Sequence, residues 1–234
     1  MPVHATRNSL LGAHGIRGIP LFAELSAEEA AEMELLILKK RFSKGEVVLL
    51  EEDTSRYMYI IYSGKVKVVQ VSDDGKERIL AFHKKNDFFG ELSLLDGKTS
   101  PATVIAIENS EIGLLSKEDF HRFVFGNEQI LRRFINTLCS RLRESWQMLR
   151  IMNFADAEER VRAVLKNMIS LYGVREQRGT LITIKLTHRE IANYAAVSRE
   201  TASRLLKRFA TEGEIEMINK KYILVKNHLK KQQL

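Results

Sequence analysis

Residues 186–209 read LTHREIANYAAVSRETASRLLKRF, and this stretch decides the fold of the C-terminal third. Thr187 followed three residues on by Glu190 has the spacing of a capping box, so a helix starts there. Ile191 and Ala195 fall on one face of it, and the helix breaks near Ala196. Ser198, with Thr201 three residues later, starts a second helix. Leu205, Leu206 and Phe209 form its buried stripe, which leaves Arg199, Glu200, Ser203 and Arg204 outward. A helix start bearing Arg, Glu, Ser and Arg suits insertion into a major groove. Arginine bonds guanine O6 and N7 in pairs, and glutamate accepts from cytosine N4. The competing reading is a surface helix with an ordinary mixed-charge face.

The charge distribution favours the first reading. The chain of 234 residues is formally +7. Residues 154–234 hold 16 Lys and Arg against 9 Asp and Glu, which is +7, and residues 1–153 hold 21 of each. Solubility alone does not place the whole excess in the segment that carries the two-helix motif; a polyanionic partner does. The remaining composition excludes several classes. No apolar run is long enough to span a bilayer, and the N-terminus lacks a continuous apolar core of the kind a signal peptide needs, so a cytoplasmic protein is expected. One cysteine, Cys139, permits neither an intrachain disulfide nor a cysteine-ligated iron–sulfur cluster, and it is expected to pack as a small apolar residue. No paired carboxylates, activated nucleophile or metal-ligand spacing argues for an enzyme. The six histidines (4, 14, 83, 121, 188 and 228) are scattered, so no metal is expected; a haem would have to use His83 or Pro2.

Working towards the N-terminus, residues 128–152 carry two seven-residue series: Leu131, Leu138, Ser145 and Met152, and Ile135, Leu142 and Leu149. Their 4-3 alternation is that of a coiled-coil seam, which predicts a long helix paired with a second copy of the chain. The dimer interface is assigned to Leu131, Ile135, Leu138, Leu142, Leu149 and Met152. Residues 153–157 (NFADA) are the expected hinge, followed by a helix over 157–172, a strand over 181–185, the two-helix motif, and a hairpin pairing 215–218 with 222–225 across 219–221. A helix–turn–helix followed by such a hairpin is a winged helix. Upstream, residues 41–116 are short runs rich in β-branched and aromatic residues (VVLL, YMYIIYSG, KVKVVQV, RILAF, ATVIAI, EIGLL), separated by turn signals, which predicts an antiparallel roll. A helix is expected over 25–40, capped by Ser26, and residues 1–20 are expected to be a loosely held arm.

The resulting α+β order is an arm (1–19), a β-roll sensor (20–127), a dimerisation helix and hinge (128–153) and a winged helix–turn–helix (154–234). From about residue 20 to 228 it resembles the Crp/Fnr family of bacterial transcription regulators. Two motifs carry the resemblance: the stretch 186–209, and Phe88-Phe89-Gly90-Glu91-Leu92 followed by a loop and Ala102-Thr103, which is similar to the phosphate-binding cassette of cyclic-nucleotide-binding domains. The resemblance implies double-stranded DNA, a second copy of the chain and RNA polymerase as partners. It implies base contacts from Arg199, Glu200 and Arg204, as in the cAMP-receptor branch, with Ser203 added in the Glu-x-x-Ser-Arg spacing of the Fnr branch. A TGA-core half-site in inverted repeat follows, with the outer bases open between the two branches. Thr187, Ser198 and Thr201 are assigned to phosphates.

In the roll, the resemblance implies that Gly90 lets a backbone amide approach a cyclic phosphate and that Glu91 accepts from a ribose hydroxyl. The loop departs from the family where an arginine should neutralise that phosphate: it reads Ser100-Pro101-Ala102. Losing one charge-assisted contact costs about 1.5–3 kcal/mol. Lys98 offers a point charge in place of a planar fork. On the long helix, Ser145 and Trp146 stand where the family places an adjacent Thr and Ser against the adenine. An effector pocket of Gly90, Glu91, Leu92, Lys98, Ser100, Ser145 and Trp146 for a nucleotide-like or other small molecule, not cAMP, is therefore one expectation. A roll that binds no ligand, with Gly90-Glu91 kept for turn geometry, is the other.

Overall fold

The computed structural model describes residues 15–72, 75–218 and 222–226. Pro2, named above as a haem ligand, and the hairpin turn 219–221 lie outside the described residues. The chain divides into two compact units, 1–142 and 143–234.

The first unit opens with two 3-10 turns, Ile16–Gly18 and Pro20–Phe22, and helix α1 (Ala27–Leu36). The expectation of a loose arm is corrected for residues 15–20, where Ile16 and Ile19 are buried beneath the helices with Leu21 and Phe22, while residues 1–14 of that arm lie outside the described residues. Four large apolar side chains in seven residues gain more from burial than the backbone loses in freedom. The helix expected over 25–40 is also corrected. Ser26 caps the helix as expected, through a capping box with Glu29, but α1 ends at Leu36, and strand β1 (Leu38–Phe42) takes the rest by pairing with β8.

The strands β2 (Val47–Leu49), β3 (Tyr57–Ser63), β4 (Lys65–Val71), β5 (Glu77–Lys84), β6 (Phe88–Phe89), β7 (Thr103–Ala106) and β8 (Ser110–Ser116) complete two antiparallel sheets, ordered β1-β8-β3-β6 and β2-β7-β4-β5. Leu49, Ile61, Val66, Phe89, Val104 and Ile112 form a core shared by both sheets. Gly64 makes the tight corner between β3 and β4. Its φ is +88°, and a Cβ there would lie 2.2 Å from Ser110 Oγ. Between β6 and β7 sits the short helix α2 (Glu91–Asp96).

Helix α3 (Lys117–Phe125), capped by Ser116, and the long helix α4 (Glu128–Phe154), whose first amides bond Asn127 Oδ1, follow. Phe120, Ile130 and Phe134 seal a second core against Phe22, Met33 and Phe88. The two heptad series on α4 prove unequal. Leu131 and Leu138 pack, partly buried, on this core of their own chain, so they are not simply free seam positions. The other series is open: Ile135 is 49 %, Leu142 51 % and Leu149 58 % exposed, with Trp146 at 62 % between them. Met152 is half-buried. Cys139 is exposed, against the expectation that it packs; it falls one position off the buried series.

In the second unit, Asp156 caps helix α5 (Ala157–Tyr172) through a capping box with Glu159. The strand expected over 181–185 is corrected to a hairpin, β9 (Gly173–Glu176) with β10 (Gly179–Ile182). Helices α6 (His188–Ala195) and α7 (Arg199–Thr211) follow, then β11 (Ile215–Ile218) and β12 (Tyr222–Lys226). These four strands form one antiparallel sheet, ordered β11-β12-β10-β9. Arg162 of α5 stacks 4.1 Å over the Phe209 ring and pairs with Glu158 and Glu214, fastening α5, α7 and the start of β11 together. Among the described residues no helix is long and apolar enough to cross a membrane.

Candidate nucleic-acid interface

The two-helix motif is built by its caps. Thr187 Oγ1 accepts from the Glu190 amide and donates to Glu190 Oε2 at 2.8 Å. Helix α6 ends at Ala196, which takes a left-handed conformation at φ 51°, ψ 44°. That geometry is the usual province of glycine and costs an alanine roughly 1–2 kcal/mol. Ser198 then accepts from the Thr201 amide and starts α7. Ala202, Leu205, Leu206 and Phe209 are buried, which fixes the rotation of α7.

The opposite face carries the predicted readers. Arg199, Glu200 and Arg204 are exposed, and among the described residues none of them has an ion-pair partner. Ser203, on the same face, is half-buried and lies 2.8 Å from His188 Nδ1 of α6. Thr187 and Ser198 are exposed and Thr201 half-buried, but their hydroxyls are not equally free. The Thr187 proton goes to Glu190 and the Ser198 proton to Thr201 Oγ1, which leaves the Thr201 proton available to a ligand.

The roll presents a different picture. Gly90 has φ +81°, and a Cβ there would come within 2.7 Å of the Tyr59 ring and 3.0 Å of the Tyr57 carbonyl, so packing alone demands glycine. Glu91 is only 5 % exposed and accepts from Arg141 Nη1 at 2.9 Å. Arg141, on α4, also donates to the Phe88 carbonyl and stacks 4.4 Å over the Phe88 ring. Ser100 is buried and spends its hydroxyl proton on the Ala102 carbonyl, while its backbone bonds residues 52 and 53. Leu92 and Lys98 are exposed. On α4, Ser145 and Trp146 are exposed.

Arg141 went unrecognised in the sequence, because an arginine on a helix reads as a solvated charge. His83 gave no sign of its environment either. It stacks on Phe89, which stacks on Tyr59, and burial together with the nearby Arg141 pushes its pKa down to about 3. Its imidazole is held neutral inside the roll. Among the described residues no cluster of three or more His, Cys, Asp or Glu side chains is placed to hold a metal.

Two family models match. Residues 39–127 fit the cyclic nucleotide-binding domain, and residues 159–230 fit the Crp-like helix-turn-helix domain. The cyclic AMP receptor protein of Thermus thermophilus is 32 % identical over 203 residues, covering 86 % of this chain and 90 % of that protein. The chain belongs to the Crp/Fnr family of transcription regulators. A CRP-like cAMP-activated global regulator of Mycobacterium tuberculosis is also 32 % identical, over 78 % of this chain and 82 % of its own length. The Fnr side of the family is represented by the transcriptional activator FnrA of Stutzerimonas stutzeri, 25 % identical over 92 % of this chain and 88 % of its own. Among solved structures, FixK2 of Bradyrhizobium japonicum shares the fold at TM-score 0.75 and 23 % identity, over 84 % of this chain and 96 % of that one. As a Crp/Fnr regulator, the chain joins a cyclic-nucleotide-binding-type roll to a DNA-binding helix–turn–helix.

Proposed function

We propose that the protein is a homodimeric, sequence-specific regulator that reads TGA-core half-sites in inverted repeat through Arg199, Glu200 and Arg204. The observation that carries this reading is the exposed, unpaired state of those three charges on a helix whose other face is locked into the core. Protein charges left without partners cost little in water and are available to base edges. Ser203 already has His188 as a partner, so the outer bases follow the cAMP-receptor pattern more closely than the Fnr pattern. Thr201, the helix starts and the nearby lysines and arginines supply phosphate contacts.

Dimerisation is proposed to use the open series Ile135, Leu142, Trp146 and Leu149. A stripe of large apolar side chains at coiled-coil spacing is best satisfied by its own twofold mate. The break at 154–156 would then set the separation of the two recognition helices near one DNA turn, ~34 Å. Activation would add a contact with RNA polymerase.

For the roll, two readings stand. In the first, a small effector other than cAMP displaces Arg141 from Glu91 and shifts the equilibrium between two dimer arrangements. In the second, the regulator is constitutive, and the Arg141–Glu91 pair is a permanent tie. The pair is compatible with both readings, because Arg141 takes Oε1 of Glu91 and the carboxylate keeps acceptor sites for a ribose hydroxyl. Titrating a labelled inverted-repeat duplex at fixed salt, with and without cAMP or a small-molecule extract, separates them. Affinity that is independent of every addition supports the constitutive regulator. No preference over scrambled DNA under any condition contradicts the proposal as a whole. A Leu142→Lys chain that keeps its dimeric mass by light scattering would reject the assigned interface.

A further inference from the structure

A cleft of about 230 Å³ opens on the first unit where the loop ahead of β3, the end of α2 and the start of α3 meet. Arg56, Lys98 and Lys117 line it, together with Thr54, Ser93 and a single carboxylate, Glu118. Among the described residues none of the three cations has an ion-pair partner. Other cations of the roll are paired, Lys39 with Glu34, Lys65 with Glu108 and Lys67 with Glu77, or stand alone among the described residues like Lys40, Lys44 and Arg78; Arg56, Lys98 and Lys117 differ in sharing one concave surface. Like charges gathered in a concave surface raise the local concentration of anions.

A second feature is independent of charge. Ser93 is only 5 % exposed, and its hydroxyl makes no hydrogen bond to the described residues but keeps access to solvent. Ser93 lines the cleft, so its hydroxyl is available to a molecule bound there. Of the residues expected in the effector pocket Lys98 lines the cleft, whereas Gly90, Glu91, Leu92, Ser100, Ser145 and Trp146 do not, so the two sites share one cation and no more.

We propose that this cleft binds a small phosphate-bearing anion, a low-molecular-weight phosphate monoester. Three cations against one carboxylate leave a formal charge of +2, which a monoester dianion neutralises. The Arg56 guanidinium gives a planar two-donor face to a pair of phosphoryl oxygens, and Lys98 and Lys117 act as point charges on the rest. Ser93 and Thr54 donate hydroxyl protons. The volume is below that of a drug-sized site and suits a phosphoryl group with a short organic tail. An acidic segment of another protein is the competing occupant. The proposal does not rest on the DNA-binding reading.

The test is calorimetry on the full-length chain at constant ionic strength, with inorganic phosphate and glycerol 3-phosphate as probes. Saturable binding at one site per chain is expected. It should weaken at least tenfold in an Arg56→Gln/Lys117→Gln variant, weaken several-fold in Ser93→Ala, and be unchanged in Arg204→Ala, which removes a cation from the DNA-facing helix. Should the double variant fail to fold, Lys98→Gln serves in its place, and unchanged affinity there overturns the proposal. So does a lack of saturable binding, or binding that is lost in Arg204→Ala and kept in the cleft variants. Binding of a polyglutamate peptide but of neither phosphate probe would reassign the cleft to a protein partner.

Discussion

The recognition helix and the roll treat their charged side chains in opposite ways. On α7, Arg199, Glu200 and Arg204 have no ion-pair partners among the described residues and face solvent. In the roll, Glu91 is buried and tied to Arg141, Ser100 bonds its own loop, and His83 is held neutral between ring and helix. The first arrangement leaves interaction energy for a partner; the second uses it to hold α4 against the sheet. Charges left open to a partner and charges tied within their own domain are therefore distinguishable by how many polar groups remain unsatisfied.

Substituting one arginine in each region should separate the two modes. Arg141→Ala leaves Glu91 buried without its partner, and such losses run about 3–5 kcal/mol, with the low end expected because Arg141 is partly exposed. Chemical denaturation should show that loss, whereas an unchanged midpoint would mean that the pair is not structural. Arg204→Ala should behave in the reverse way. It should leave folding stability within error and remove roughly 1–3 kcal/mol of binding to the inverted repeat, relaxing preference at one guanine.

A smaller effect comes from pH. His83 is held down to about 3, while the unfolded chain titrates near 6.5. Between these values the unfolded state binds the extra proton, so stability falls as pH is lowered below about 6.5. Asp87, pushed up by burial, and Arg141 are the charged groups facing this imidazole. The thermal midpoint should therefore drop between pH 7 and 5 in the natural chain and drop less in His83→Gln; equal slopes would place the imidazole in water. The smallest effect is Ala196→Gly, which relieves the left-handed turn and should stabilise the second unit by about 0.5–1 kcal/mol with no change in DNA preference.

What the sequence revealed follows the same division. β3, buried on both faces, announced itself by a continuous apolar and aromatic run, and β4 by its valine-rich content. Both caps of the two-helix motif were legible because capping needs particular residues at a particular spacing. Strand β9 was not, since all four of its residues are exposed and no alternation exists to read. β1 was hidden because Leu36 and Leu38 continue the apolar texture of α1 into a strand that is almost wholly exposed. The unequal fates of Leu138 and Leu142 could not be seen either: a heptad says that a face is apolar, not which neighbour covers it. Arg141 and the His188–Ser203 contact are tertiary facts, joining residues 50 and 15 positions apart in the chain.

The most direct test of the central claim is a double-mutant cycle on DNA. Wild-type and Arg204→Ala chains would be titrated by fluorescence anisotropy, at one salt concentration, against an inverted repeat with TGA half-sites and against the same duplex with that guanine replaced. If Arg204 reads the base, the wild type should lose about 1–3 kcal/mol on the altered duplex and the variant should scarcely distinguish the two. If the variant instead loses affinity equally on both duplexes and keeps its preference for guanine, the arginine is only a phosphate contact, and the recognition face has been assigned wrongly.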